Sequence, residues 1–183
     1  MVVTLMSILL SMDVEASGQC PLHGDMISFA AVVLEEGLSR TFDSGNMRPE
    51  CEKFDPGAYA AIGMTREEHL AAPFTITERM LAFQDWLISL QSKNGRHIMV
   101  SDNPGFDFAW VNFELHNKIG VGLLGHSARR IGDAWAGLKQ RSRETAGWRK
   151  LRVTAHDHTP LNDAMGNAEA WMAMWAQFGA KAY

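Results

Sequence analysis

With 183 residues, 46% of them apolar and 21% charged, the chain suits a single domain, residues 1–183, with a well-buried core. Its net charge of −4 argues against a protein that coats nucleic acid, and two cysteines, Cys20 and Cys51, supply neither a disulfide framework nor a zinc centre. That cysteine usage fits a reducing, cytoplasmic setting. Val2–Met12 is apolar but too short to span a membrane, and it lacks the basic start and small-residue cleavage site of a signal peptide.

Val2–Met12 reads as a buried strand, followed by a polar turn over Gly18–Asp25. Met26–Glu35 is a second apolar run, and Arg40–Asp43 a short third strand, together an antiparallel meander. Asp55-Pro56-Gly57 marks a turn. Thr65, with Glu68 three residues on, opens a helix as a capping box. Thr75–Leu90 is a longer helix, with Met80, Leu81, Phe83, Trp86, Leu87 and Leu90 on one apolar face.

His97–Ser101 reads as a strand, and Phe106–Lys118 and Ala128–Leu138 as helices. Asp163–Phe178 closes the chain as a helix with Trp171, Met174, Trp175 and Phe178 inward. Strands, helix, strand, then three helices suit an α/β fold, a mixed central sheet with helices on both faces.

The acidic residues fall in separated clusters. Asp13 and Glu15 end the first strand two residues apart, so they share a face and repel unless a cation lies between them. Hard oxygen donors favour magnesium or manganese over zinc. Solvated acids at an exposed strand end are the plainer alternative. Asp107 stands at a strand-to-helix junction, where a pocket acid or a simple partner for the helix dipole would both fit; Asp102 competes with it. His158 and Asp163 follow near the C-terminus. A histidine can take a proton from an activated water. His156 then reads as a packing residue, or joins His158 and Asp157 in a zinc site that lacks an evident third neutral or thiolate donor.

This order, Asp-x-Glu, then Asn103 with Phe106-Asp107, then His158-x4-Asp163, resembles the DEDDh family of 3′-5′ exonucleases. The resemblance runs from Asp13 to Asp163 and extends to Gly63-Met64-Thr65, Phe83-x2-Trp86-Leu87 and Ser127–Asp133. Pro104-Gly105 and Pro160 depart from the usual pattern without removing an acid or the histidine.

The resemblance implies a ribonuclease H-like fold and two divalent cations, Mg2+ or Mn2+. They would be held by Asp13, Glu15 and Asp163, with Asp107 helping to place them, and roughly 3.5–4 Å apart. His158 would be the general base. The substrate would be the 3′ end of RNA or single-stranded DNA, and the product a nucleoside 5′-monophosphate. Ala16, Ser17 and Asn103 would lie against substrate, as would Phe106, Trp110, Arg129 and Arg130. Phe29, Phe106, Phe108 and Trp110 are the aromatics available to stack on bases, although core packing is the commoner task for each. Between Arg129 and Arg152 eight Lys or Arg face only Asp133 and Glu144, a basic strip for a polyanion or a solvated face. Relatives of this size are often homodimers.

Two rival readings stand beside this one. Gly120-x-Gly122-x2-Gly125 matches a dinucleotide-binding motif, but that motif needs a strand before it, and a helix-like segment stands there instead. Gly120 reads better as a helix C-cap. A non-catalytic nucleic-acid-binding protein on the same fold would have no reason to keep mutually repelling carboxylates.

Overall fold

The computed structural model describes residues 7–90 and 96–183. A five-stranded mixed sheet has the order β3-β2-β1-β4-β5. Strands β1 (Ile8–Ala16), β2 (Met26–Val33) and β3 (Thr41–Asp43) form the expected antiparallel meander. Strand β4 (His97–Ser101) and the two-residue β5 (Arg129–Arg130) add in parallel on the other side of β1. The first part of the Val2–Met12 run lies outside the described residues; the strand itself continues past Met12 through both acids.

β1 and β2 are buried almost throughout, because helices cover both faces of the sheet. On one face Leu10, Met12, Val14 and Ala16 pack against α3 (Ile76–Ser89) and α4 (Pro104–Glu114), around Phe29, Phe83, Trp110 and Leu115. On the other, Leu9, Ala30 and Val32 meet α6 (Pro160–Gln177), with Trp171 and Met174, and Trp135 of α5 (Ile131–Lys139). Among the described residues no helix is long and apolar enough to cross a membrane.

Local signals decide most element ends. Thr65 and Thr75 each close a full capping box, on α2 (Arg66–Leu70) and α3 respectively. Four boundaries differ from the sequence expectation. Asp55-Pro56-Gly57 starts a helix, α1 (Pro56–Ile62), rather than a turn: Asp55 caps it from Gly57 N, and proline fits the first helical position. The helix expected over Phe106–Lys118 begins at Pro104 and loosens into a π-helical stretch, Leu115–Ile119, that ends at Gly120 with φ 73°. Gly120 is thus the C-cap anticipated, and a helical segment, not a strand, precedes the glycine motif. The segment read as helix from Ala128 instead lends Arg129 and Arg130 to the sheet edge. The last helix starts at Pro160, three residues before Asp163; within it Trp171 and Met174 are buried, while Phe178 beyond its end is exposed.

Candidate active site

The site lies where the parallel strands β1 and β4 end, the usual position for chemistry in open α/β sheets. The two-residue period of β1 sends Ser11, Asp13 and Glu15 toward α6 while their neighbours enter the opposite core. Ser11 Oγ anchors the helix by donating to Ala164 O at 2.7 Å, next to Asp163. Carboxylate oxygens of Asp13, Glu15 and Asp163 consequently come within 4.8 Å of one another.

These acids stand in a hostile setting. Burial, then the charges of Asp107, Asp163 and Glu15, hold the Asp13 carboxyl well above the usual range. Burial and the nearby Asp163 raise Glu15 to about 7, against a lowering contribution from His156. Asp163 is fully buried, and its Oδ1 has no hydrogen-bonding partner. Three converging carboxylates, one with an orphaned oxygen, are what a divalent cation would satisfy, and their oxygen chemistry fits Mg2+ or Mn2+.

Asp107 opens α4 behind this group and is not one of the three whose oxygens converge. Ser101, the last residue of β4, donates its hydroxyl to Asp107 Oδ2 and accepts the backbone N–H of Asn103 at 2.9 Å. Burial pushes the Asp107 carboxyl up to about 8, opposed by the Ser101 hydrogen bond. Its influence on Asp13 is through space. Asp102, the competing acid, faces a different cavity.

His158 lies at the mouth. Its side chain is 44% exposed, with Nδ1 3.4 Å from Glu15 Oε1. The residue adopts φ 60°, a left-handed conformation uncommon for a side chain this size. That turn lets the His158 N–H donate to Asp163 Oδ2 at 3.1 Å, so the two residues are fixed to each other. His156 is not a packing residue: it is half exposed, its ring 4.7 Å from that of His158, and its Nδ1 2.7 Å from Asp163 Oδ1 outside hydrogen-bonding geometry. Asp157 turns away, accepting from Thr159 N and Asn162 Nδ2, so it does not join the two histidines.

The residues expected beside substrate divide. Trp110 is closed off: it lies in the core at 1% exposure, edge-on to Phe106. Ala16 pairs with Met26, and buried Ser17 spends its backbone N–H and its hydroxyl on Asp25 O, so both are structural. Phe29 likewise packs on Phe42 and Phe83. Asn103 remains exposed, and Phe106 and Phe108 half-buried at the site's edge. Arg129 and Arg130 are exposed on β5; Arg130 holds Asp102 O and Asp133.

Two clefts flank the carboxylates. One, of about 260 Å³, is bounded by Glu15, Ser28, Asn46, Ile62, Met64 and His158. The other, of about 450 Å³, runs from Asp102 past Arg149 and Arg152 to His156. Arg152 is largely buried over Trp148, hydrogen-bonds Asn167 and sits 3.8 Å from Asp163 Oδ1. Sequence reading placed Arg152 only within a basic strip, and did not single out Ile62, Met64, Ser28 or Asn46. For Met64 the Gly63-Met64-Thr65 segment held a clue; for Arg152 nothing distinguished it from seven neighbours of like charge.

This arrangement has solved counterparts. The nuclease domain of 3′hExo, described as a DEDDh family member bound to rAMP, superposes with a TM-score of 0.72 at 15% identity, covering 97% of this chain and 95% of that one. The chain shares the fold of that nuclease domain. Exonuclease I of Escherichia coli, in complex with a dT13 oligonucleotide, gives a TM-score of 0.64 at 13% identity, covering 95% of this chain but 43% of its own. In sequence, the chain is 29% identical over 172 residues, 88% of each protein, to the 3′-5′ DNA exonuclease Cap18 of Escherichia coli. No family profile matches the chain. The ribonuclease H-like architecture and the resemblance read from the acids are both borne out.

Proposed function

We propose that this chain is a metal-dependent 3′-5′ exonuclease that releases nucleoside 5′-monophosphates from RNA or single-stranded DNA. The observation that carries this reading is the meeting of Asp13, Glu15 and Asp163 within 4.8 Å, with His158 3.4 Å from Glu15. Asp13, Glu15 and Asp163 would hold two Mg2+ or Mn2+ ions, with Asp107 helping to place them. When bound, the ions supply an activated water and stabilise charge on the leaving oxygen.

The chain's own residues do the rest. His158 faces solvent beside Glu15, where its free ring nitrogen takes the proton of the attacking water. The hydrogen bond from His158 N to Asp163 keeps the ring at that station. The cleft beside Glu15 and His158 takes the terminal nucleoside: Ile62 and Met64 form an apolar wall for a base, and Ser28 and Asn46 offer polar partners. Arg149 and Arg152 line the other cleft and attract the phosphate backbone. A net charge of −4 is compatible with this, since the basic strip is local.

A 5′-labelled single-stranded DNA and the matching RNA, each with Mn2+ or with EDTA, test the proposal. A ladder shortening from the 3′ end, dependent on metal and lost in Asp13→Ala, is expected. The similarity to a DNA exonuclease makes DNA the first substrate to try. Binding of either strand with no cleavage in any metal would favour a non-catalytic nucleic-acid-binding protein.

A further inference from the structure

The convergence of Asp13, Glu15 and Asp163 leaves His156 without a role. This side chain is 51% exposed, yet its Nδ1 is held 2.7 Å from the buried, unpartnered Oδ1 of Asp163. One ring nitrogen each from His156 and His158, with a carboxylate oxygen of Asp163, lie within 4.8 Å of one another. Two imidazoles and one carboxylate form a donor set suited to zinc or cobalt, and a poor one for magnesium.

We infer that His156, His158 and Asp163 form a second, overlapping and inhibitory site for a borderline transition ion such as Zn2+. Tetrahedral bonds of about 2.1 Å place donors roughly 3.4 Å apart. Small rotations of two half-exposed rings reach that spacing, whereas Asp163 is fixed by α6 and by the N–H of His158. His156 also borders the cleft lined by Arg149 and Arg152, which gives solvent access to it, and the fourth position would be left for water. Asp157 is not among the converging donors; its two oxygens accept from Thr159 N and Asn162 Nδ2.

Occupancy removes two groups from catalysis at once. His158 becomes a ligand and can no longer accept a proton, and Asp163, which also converges with Asp13 and Glu15, is drawn to the zinc. Zinc therefore inhibits in the presence of saturating Mn2+. That consequence rests on the exonuclease reading; the binding does not.

Co2+ reports the site directly, because four-coordinate cobalt with nitrogen ligands absorbs strongly in the visible. Metal-free protein is titrated with Co2+ in excess Mg2+, as wild type, His156→Ala and His156→Cys. Wild type is expected to give the four-coordinate spectrum, displaced by one equivalent of Zn2+. His156→Ala should lose it and weaken Zn2+ binding by at least the roughly 10–100-fold seen when only an outer-shell partner is lost. His156→Cys should regain it with an added sulfur-to-cobalt charge-transfer band, which a misfolded variant cannot produce. A wild-type spectrum unchanged in His156→Ala, or no four-coordinate spectrum in wild type, overturns the site. In parallel, Zn2+ should suppress Mn2+-supported hydrolysis in wild type, and proportionally less in His156→Ala. Absence of hydrolysis in every protein would defeat the exonuclease reading and leave the cobalt result to judge the site alone.

Discussion

Leu10, Met12, Val14 and Ala16 point to one side of β1, and Leu9, Ser11, Asp13 and Glu15 to the other. The two sets are one peptide apart and have opposite energetic signs. The first buries apolar surface among aromatic rings, each side chain contributing about 1.5–3 kcal/mol. The second forces carboxylates together out of water, which raises their proton affinity and costs stability while no cation is present. A strand can therefore hold a repelling cluster rigidly, because its other face supplies the grip.

The comparison is tested most severely at His158. His158→Asn keeps a side chain that tolerates the left-handed backbone at φ 60°. Nuclease activity should fall by about 10²–10⁴-fold, equivalent to roughly 3–5 kcal/mol of barrier, with the melting temperature little changed. Retention of full activity would remove His158 as the base. On the opposite face, Met12→Ala should cost about 2–5 kcal/mol in denaturant unfolding, since Met12 is wholly buried. A loss below that range would show that the core face does not carry the grip ascribed to it.

Protons and metal probe the acidic face together. Glu15 and Asp107 bind protons up to about 7 and about 8 in the folded chain, against ordinary values of 4.5 and 3.8. The folded state then holds more protons than the unfolded one across that interval. The contribution of these acids to metal-free stability is complete at about pH 4 and declines as pH rises toward 8. Saturating Mn2+ should flatten this decline and add about 2.7 kcal/mol at a concentration 100 times its Kd. Thermal melts from pH 4 to 8, with and without Mn2+, measure both effects. Smallest of the expected changes, Asp13→Asn should stabilise the metal-free protein by about 1 kcal/mol while abolishing hydrolysis, the trade expected when a strained functional group is relieved.

Legibility of the chain followed the range of the forces involved. Thr65 and Thr75 were readable as N-caps because a capping box is complete within four residues. The meander and β4 were readable from apolar runs. The two-residue β5 was not, since Arg129 and Arg130 carry no strand signal and become one only by pairing with Val100 and Ser101. Trp110 shows the same limit from the other side. Its place beside Phe106 and Asp107 left base stacking open alongside core packing, and the helix turns it into the core.

The sequence by itself determined which residues stand as candidates for chemistry: the Asp13–Glu15 pair, Asp107, and the His158–Asp163 spacing are local patterns, and a strand's alternation already places the first two on one face. Only the tertiary structure decided what those residues meet. Asp163 reaches Asp13 across 150 residues because α6 docks on β1 through Ser11 and Ala164. His156 becomes a neighbour of a buried carboxylate, Arg152 is drawn from a basic strip to its side, and Ile62 and Met64 come to wall a cleft beside Glu15. Such meetings depend on how helices pack over a sheet, a sum of many weak contacts distant in sequence, and no short pattern encodes them.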